Sequence, residues 1–257
     1  MIGAIIGDLA GSIYEFEQIK NTHNVEVKNI IEENSFFSDD TILTIAVADA
    51  IINNCSYEDK LKEYTLKYEN YKPNFLPYFK TSFSPNFIKW AKSNEIGTSS
   101  GNGAMMRIAP VGYLFNTEKE VIENVRQATI PSHNSEEAVN CATLVALVIF
   151  YARKGLTKNE IINKLDIKLN KPNIETFNYT CKDTLDVCIY SLFKANSFEE
   201  SIRLAISFGG DTDTNACIVG GMAEALYGID EKLKQKALEK LPKEFIEILN
   251  RCENSNI

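Results

Sequence analysis

The sequence predicts an all-α protein. Apolar residues recur at helical spacing along most of the 257-residue chain, and no alternation of strand and helix patterns points to a parallel sheet. Four helix starts carry a hydroxyl residue with an acid three positions later, the spacing of an N-terminal capping box, at Ser56, Thr117, Thr157 and Ser197. These signals predict helices near residues 57–69, 118–128, 135–153, 158–168, 182–195, 198–208, 215–227, 231–240 and 243–252.

Two further segments stand out from this helical background. Gly3, Gly7 and Gly11 recur every four residues, which places them on one face of a predicted N-terminal helix. Such a face lets the backbone of another helix approach closely, so we expect a tight helix pair there. The longest irregular segment is predicted at about residues 70–103, and a long loop inside a compact domain is often functional.

Composition excludes some classes of function. The chain has 27 Lys and Arg against 35 Asp and Glu, a net charge of −8, which argues against non-specific binding to nucleic acid or to an anionic membrane. The length fits one domain over residues 1–257. The apolar N-terminal stretch contains Asp8 and lacks the basic flank of a signal peptide, so we expect a cytoplasmic protein. None of the six cysteines forms a CxxC pair, which favours reduced thiols.

Two acidic clusters are the strongest chemical signal. Residues 209–215 read Gly-Gly-Asp-Thr-Asp-Thr-Asn, and residues 38–41 read Ser-Asp-Asp-Thr. Each cluster opens onto an apolar run, where buried carboxylates are rare unless they are paired or bind a metal. One explanation is that Ser38 and Asp211 only cap helices, but a cap needs one side chain and each cluster has more.

Together the clusters predict an oxygen-lined metal site. Carboxylates and hydroxyls favour Mg²⁺, Mn²⁺ or Ca²⁺ over zinc, and the chain has only two histidines. Four carboxylates and two hydroxyls are enough for two divalent ions about 3.5–4 Å apart. The predicted ligands are Ser38, Asp39, Asp40, Asp211, Asp213 and Thr214.

Three other features admit two interpretations each. The glycines at 101 and 103 in the loop 97–107 could form an anion-binding nest, although the residues alone favour a tight turn. Glu15 lies between two aromatic residues and could be a desolvated proton-transfer group, although an ordinary surface glutamate is the more frequent case. His133 precedes a predicted helix and could be either a ligand-binding or a structural histidine.

These motifs, in this order, resemble those of the ADP-ribosylglycohydrolases. The matching residues are 3–8 with 14–15, 38–41, 101–107, 132–133 and 209–215. The resemblance implies a compact, single-domain orthogonal bundle of α helices with two Mg²⁺ (or Mn²⁺) ions in a cleft. It also implies hydrolysis of the glycosidic bond that joins ADP-ribose to a modified protein or a small-molecule acceptor.

Roles follow from the resemblance position by position. The six predicted ligands match the metal-binding positions, and Glu15 matches the catalytic or metal-gating acid, with Asp39 and Asp40 as the other candidate proton-transfer groups. Gly101, Asn102, Gly103, Met106 and His133 resemble the ADP-ribose groove, where we expect the amides of residues 101–103 to face the pyrophosphate. Ser38 departs from the threonine usual in the family, and residues 80–83 replace a glycine-rich loop.

Two alternatives stay open at this stage. A two-metal phosphoester or nucleotide hydrolase could use the same ligands, but it would be expected to add Arg or Lys to bind the phosphoryl group, and the only obvious candidate near these acids is Arg107. A non-catalytic ADP-ribose-binding relative would be expected to have broken acid clusters, and both clusters are intact. We expect a monomer.

Overall fold

Helices account for all the regular secondary structure in the described part of the chain. A computed structural model describes residues 1–15, 26–73, 81–172 and 179–255. Two isolated β-bridges, Thr98 with His133 and Gly101 with Thr180, are the extended pairings within those residues. The all-α prediction is therefore confirmed. That residues 1–257 form one domain stays a prediction.

Along the chain, the helices are α1 (Ile2–Gly11), α2 (Asp39–Ile52), α3 (Tyr57–Tyr68), α4 (Pro85–Ala91), α5 (Gly103–Met106), α6 (Ala109–Leu114), α7 (Glu118–Thr129), α8 (Glu136–Arg153), α9 (Lys158–Lys164), α10 (Cys181–Lys194), α11 (Phe198–Ser207), α12 (Thr212–Tyr227), α13 (Glu231–Leu238) and α14 (Lys243–Glu253).

Helices α1 and α12 pack with their backbones in close contact. A Cβ atom added at Gly7 would overlap the carbonyl group of Ala216, and one added at Gly3 or Gly11 would overlap α12 in the same way. Because these residues lack side chains, the two backbones lie against each other, as the spacing of the glycines predicts. Thr212 Oγ1 adds a hydrogen bond to Gly11 O at 2.9 Å, where α12 begins and α1 ends.

The centre of the molecule is formed by helices that are apolar on every side. All residues of α2 from Asp40 to Ala50 are buried, and most of α8 is buried as well. A helix that is hydrophobic all round has to lie in the interior. Helix α2 contacts both α1 and α12, so the N-terminal end of α2 lies near the C-terminal end of α1 and the N-terminal end of α12.

The capping signals identify the helix starts correctly. Thr117 and Thr157 each form a complete capping box. The threonine hydroxyl accepts a hydrogen bond from the amide of the glutamate three residues later, and the side chain of that glutamate accepts one from the amide of the threonine. The Ser56 and Ser197 hydroxyls accept the corresponding amide bonds from Asp59 and Glu200. The predicted starts of these four helices are confirmed.

Several predicted boundaries are wrong. The segment expected to be irregular over residues 70–103 contains helix α4. This helix has only seven residues, too few to show a helical period in the sequence. Helix α12 begins at Thr212, three residues before the predicted start, because the acidic segment itself forms its first turn. Helix α9 ends at Lys164 rather than near residue 168.

No helix within the described ranges is both long enough and apolar enough to cross a bilayer. The six cysteines are free thiols, of which Cys55 is exposed and the other five are buried.

Candidate active site

Three helix ends surround one cavity of about 680 Å³. These are the end of α1 and the starts of α2 and α12, and α4, the loop before α5 and the segment before α8 contribute the rest of the wall that the described residues form. The structure brings every residue predicted for the site to this cavity: Glu15, Ser38, Asp39, Asp40, Gly101, Asn102, Gly103, Met106, His133, Asp211, Asp213 and Thr214. The role of each residue stays a prediction.

The two acidic clusters meet in space. Asp40 Oδ2 accepts from Ser38 Oγ at 3.2 Å and from Thr214 Oγ1 at 3.3 Å, although 174 residues separate Asp40 from Thr214. Oxygen atoms of Glu15, Asp211 and Asp213 all lie within 4.8 Å of one another. The first cluster, the second cluster and Glu15 therefore form one acidic centre.

Helix capping accounts for only one of the two clusters. Ser38 caps α2, since its hydroxyl accepts from the amide of Asp40 at 3.1 Å. Asp211 occupies the corresponding position before α12, but its side chain makes no capping hydrogen bond. Instead, Asp211 Oδ2 accepts from Asn102 Nδ2 at 2.7 Å, which holds this carboxylate at the cavity.

The acidic centre is short of positive charge. Burial, followed by repulsion from neighbouring carboxylates, raises the pKa of Asp39, Asp40 and Asp213 well above the usual range. Burial and the charges of Asp211 and Asp8 raise the pKa of Glu15 to about 8. Among the ion pairs of the described residues, none joins a Lys or Arg to these acids.

A divalent cation fits this arrangement of donors. Asp40 Oδ1 is buried and has no hydrogen-bond partner in the described structure, so one carboxylate oxygen is left for a ligand to satisfy. Carboxylate and hydroxyl oxygens are hard donors of the kind that Mg²⁺, Mn²⁺ and Ca²⁺ prefer. A bound cation would also offset the repulsion among the converging acids, because buried carboxylates are unfavourable unless a positive charge or a metal ion pairs with them.

Asp8 is a positioning residue that sequence reasoning did not select. Its Oδ2 atom accepts from the amide of Ser38 at 2.9 Å, from the amide of Thr41 at 3.1 Å and from the Thr41 hydroxyl. It thereby ties α1 to the first turn of α2, beside Asp39 and Asp40. The signal was an acid inside an apolar, glycine-faced helix, since such an acid needs buried partners.

The glycine loop is a tight turn with most of its amides in use. The amide of Gly101 donates to Ser99 Oγ at 3.1 Å, and the amide of Asn102 donates to Tyr179 O at 2.8 Å. The expectation that the amides of residues 101–103 all face the pyrophosphate is therefore wrong for these two. The Ser99 hydroxyl of the same loop occupies one of them and the backbone carbonyl of Tyr179, far along the chain, occupies the other.

His133 and an aromatic pair form the side of the cavity away from the helix ends. Burial and the positive charge of Arg107 lower the pKa of His133 well below its usual value, so the imidazole is neutral. Phe87 and Trp90 of α4 also line the cavity, with ring centroids 5.0 Å apart. Sequence reasoning missed both aromatic residues, although Ser84 and Pro85, which lie within the segment expected to be irregular, are a capping serine and a first-turn proline that mark the start of α4.

Comparisons with known proteins agree over nearly the whole chain. The family model for ADP-ribosylglycohydrolase matches residues 1–255. The chain is 26% identical over 264 residues to ADP-ribosylarginine hydrolase Tri1 of Pseudomonas putida (strain GB-1), covering 89% of this chain and 70% of that protein. It is 20% identical over 308 residues to ADP-ribosylhydrolase ARH3 of Mus musculus, and the match covers 90% of this chain and 83% of that protein. A solved structure titled ADP-ribosylglycohydrolase-related protein complex has the same fold, with a TM-score of 0.72, 20% identity and coverage of 100% and 96%.

Proposed function

Because this chain belongs to the ADP-ribosylglycohydrolase family, we propose that it hydrolyses the glycosidic bond between ADP-ribose and an acceptor. The observation that carries the proposal is the meeting of both acidic clusters with Glu15 in one cavity. A volume of about 680 Å³ lies within the range of cavities that enclose small ligands.

We assign the metal-binding role to the six oxygen donors at the two helix starts. They are Ser38, Asp39, Asp40, Asp211, Asp213 and Thr214, and we propose that they hold two divalent ions, Mg²⁺ or Mn²⁺. When bound, such ions supply positive charge that polarises oxygen ligands and acidifies bound water. The unpartnered Oδ1 atom of Asp40 and the absence of ion pairs to these acids within the described residues support this assignment.

Glu15 is the residue we favour for proton transfer. Glycoside hydrolysis needs a proton for the leaving group and a base for the attacking water. Glu15 is only partly buried and faces the cavity, so it can reach both the substrate and solvent. Asp40 already accepts two hydroxyl hydrogen bonds, which leaves it less free than Glu15. Asp39, also only partly buried, is the second candidate.

The rest of the cavity suits a nucleotide, and its described lining offers aromatic and neutral polar groups rather than positively charged side chains. Phe87 and Trp90 offer apolar faces to a flat ring, and His133 offers a neutral imidazole. No Lys or Arg is found among the described residues that line the cavity. A phosphoester hydrolase would place such cations at the phosphoryl group, so the lining favours glycosidic over phosphoester cleavage.

A product assay tests the proposal. The purified chain is incubated with arginine-linked, serine-linked and DNA-linked ADP-ribose, with Mg²⁺, with Mn²⁺ or with a chelator, and released ADP-ribose is measured. We expect release from at least one linkage in the presence of a divalent cation and none in chelator. Hydrolysis of a generic phosphoester without release of ADP-ribose from any linkage would instead support the two-metal phosphoesterase. Binding of ADP-ribose without any hydrolysis would support the non-catalytic relative.

The comparison across linkages also addresses the acceptor. One relative is named an ADP-ribosylarginine hydrolase, so arginine-linked ADP-ribose is the first substrate to compare. We propose an ADP-ribosylated protein or small molecule as the partner, with the enzyme acting as a cytoplasmic monomer.

A further inference from the structure

Arg107, Ser132 and His133 form a buried chain of hydrogen bonds beside the cavity. Arg107 Nη2 donates to Ser132 Oγ at 2.7 Å and to Ala128 O at 3.1 Å. Ser132 Oγ lies 2.8 Å from His133 Nδ1. All three residues are at most 2% exposed, so water does not compete for these bonds.

The hydrogens in this chain can be assigned by counting donors. A guanidinium group has donors only, so Ser132 Oγ is the acceptor in its bond with Arg107. The hydroxyl has a single hydrogen, and its other partner within the described residues is His133 Nδ1. If Oγ instead accepted a second hydrogen bond from an Nδ1–H, its own hydrogen would be buried without a partner, so the assignment that satisfies every group has the hydroxyl donating to an Nδ1 that carries no hydrogen. A neutral His133 consequently carries its proton on Nε2.

Arg107 also keeps His133 neutral through its charge. Burial lowers the pKa of Arg107 to about 9, which still leaves the guanidinium charged at neutral pH. No ion pair joins Arg107 to a carboxylate in the described part of the chain, so its charge acts on the neighbouring imidazole without compensation. Its Nε and Nη1 atoms are buried without a hydrogen-bond partner there, an unfavourable arrangement that calls for an explanation.

The Nε2 atom of His133 lies where a ligand can reach it. His133 lines the cavity, and a Cβ atom added at Gly103 would lie 3.2 Å from Nε2. Because residue 103 has no side chain, no Cβ atom presses against Nε2 from this position.

We propose that Arg107, acting through Ser132, is a positioning residue that holds His133 as a neutral Nε2–H donor to the ADP-ribosyl group. The identity of the ligand rests on the proposed function, whereas the position of the proton does not. A neutral donor binds a phosphate or hydroxyl oxygen without adding a cation that would pair with the acidic centre. This explains why a fully buried arginine stands behind a histidine rather than in the cavity itself.

The position of the proton can be read directly by NMR. The chain has two histidines, so His23→Gln leaves His133 as the only imidazole in protein labelled with ¹⁵N-histidine. We expect the Nε2–H tautomer in Mg²⁺ buffer, with no titration of the ring between about pH 5.5 and 8. Ser132→Ala removes the hydroxyl that donates to Nδ1. We therefore expect the His133 ring of this variant to populate the Nδ1–H tautomer as well as the Nε2–H tautomer. The same variant should raise the Kd for ADP-ribose and the KM about 3- to 10-fold, the effect of one neutral hydrogen bond, with kcat little changed.

Two further variants control for structural damage. Ser132→Thr keeps the hydroxyl and should retain the spectrum and affinity of the unchanged chain. Ser191→Ala removes another fully buried serine hydroxyl, one without a hydrogen-bond partner in the described structure, and should leave His133 unaffected. An Nδ1–H tautomer in the unchanged chain, or a Ser132→Ala protein with the same spectrum and the same Kd, overturns the proposal. If the unchanged chain neither binds nor releases ADP-ribose, the proposed function fails, and the tautomers of the unchanged chain and of Ser132→Ala still decide whether the hydrogen-bond chain through Ser132 sets the proton.

Discussion

The side-chain amide of Asn102 donates to Asp211 Oδ2 at 2.7 Å, across 109 residues of chain. The same amide nitrogen lies 3.2 Å from Thr184 Oγ1 on α10. Through these bonds, the turn before α5 holds the carboxylate of Asp211. That carboxylate makes no capping hydrogen bond to its own helix, α12. The position of one proposed metal ligand therefore depends on a neutral residue from a different part of the chain.

Replacement of Asn102 by alanine should weaken the metal centre. Loss of the amide frees Asp211 to rotate, so we expect the apparent affinity for Mg²⁺ and kcat/KM for ADP-ribose release to fall about 10- to 100-fold, as for other residues that orient metal ligands. Thr184→Val is the matched control, because it removes the other partner of Asn102 and keeps the bond to Asp211. Equal losses in the two variants would show that the Asp211 contact has no special role.

Removal of Asp211 itself should abolish metal-dependent hydrolysis. Asp211→Ala deletes a proposed ligand that also repels Glu15, so we expect kcat to drop at least about 100-fold while the protein stays folded. Circular dichroism and the release of ADP-ribose measure the two outcomes. Asp186→Ala, an exposed aspartate of α10, should leave both unchanged. Full activity in Asp211→Ala would contradict the proposed mechanism.

The stability of the metal-free protein should fall as the pH rises. The folded-state pKa of Glu15 is raised from 4.5 to about 8 and that of Asp8 from 3.8 to about 6, so the folded state binds more protons than the unfolded chain between these values. The contribution of these two groups to the free energy of unfolding in chelator is therefore largest below about pH 4. It decreases as the pH rises to about 8.

Divalent cations should reverse this trend, because they bind the ionised carboxylates. We expect the rise in Tm on addition of Mg²⁺ to be larger at pH 8 than at pH 5. Thermal melts in chelator and in Mg²⁺ at a series of pH values measure the difference. A rise in Tm that does not depend on pH would mean that the acidic centre does not bind the ion.

The contact between α1 and α12 should not tolerate a methyl group. In Gly7→Ala the new Cβ atom would overlap the backbone of Ala216, so the helices must separate, and we expect the free energy of unfolding to fall by about 1–3 kcal/mol or more. Gly101→Ala is the comparison, since its Cβ would meet only Ser99 Oγ at 3.3 Å and Tyr179 O at 3.7 Å. Urea unfolding of both variants tests the difference. A Gly7→Ala protein as stable as the unchanged chain would contradict the packing described above.

The sequence was sufficient where chemistry is local. Capping boxes at Thr117 and Thr157 and the glycine spacing of α1 follow from neighbouring residues, and the structure has them as predicted. The density of acids also indicated that residues 38–41 and 209–215 would share a site, because capping alone could not explain so many buried carboxylates.

What the sequence could not provide depends on contacts between distant segments. Nothing near Asp211 indicates that its partner would be Asn102 rather than its own helix. The amide of Gly101 is occupied by Ser99, which local composition does not distinguish from a free amide. Arg107 looked like a candidate phosphate-binding residue, yet it is fully buried and acts on Ser132.

The pairing of α1 with α12 has a consequence for biosynthesis. The bond from Thr212 to Gly11 spans 201 residues, so a nascent chain exposes the glycine stripe of α1 long before its partner leaves the ribosome. Asp211 and Asp213 of the acidic centre are also missing until that moment. A truncated translation product that stops short of α12 would therefore be both catalytically inert and open to capture by chaperones, whereas completion of α12 would close the stripe and create the enzyme in a single late step.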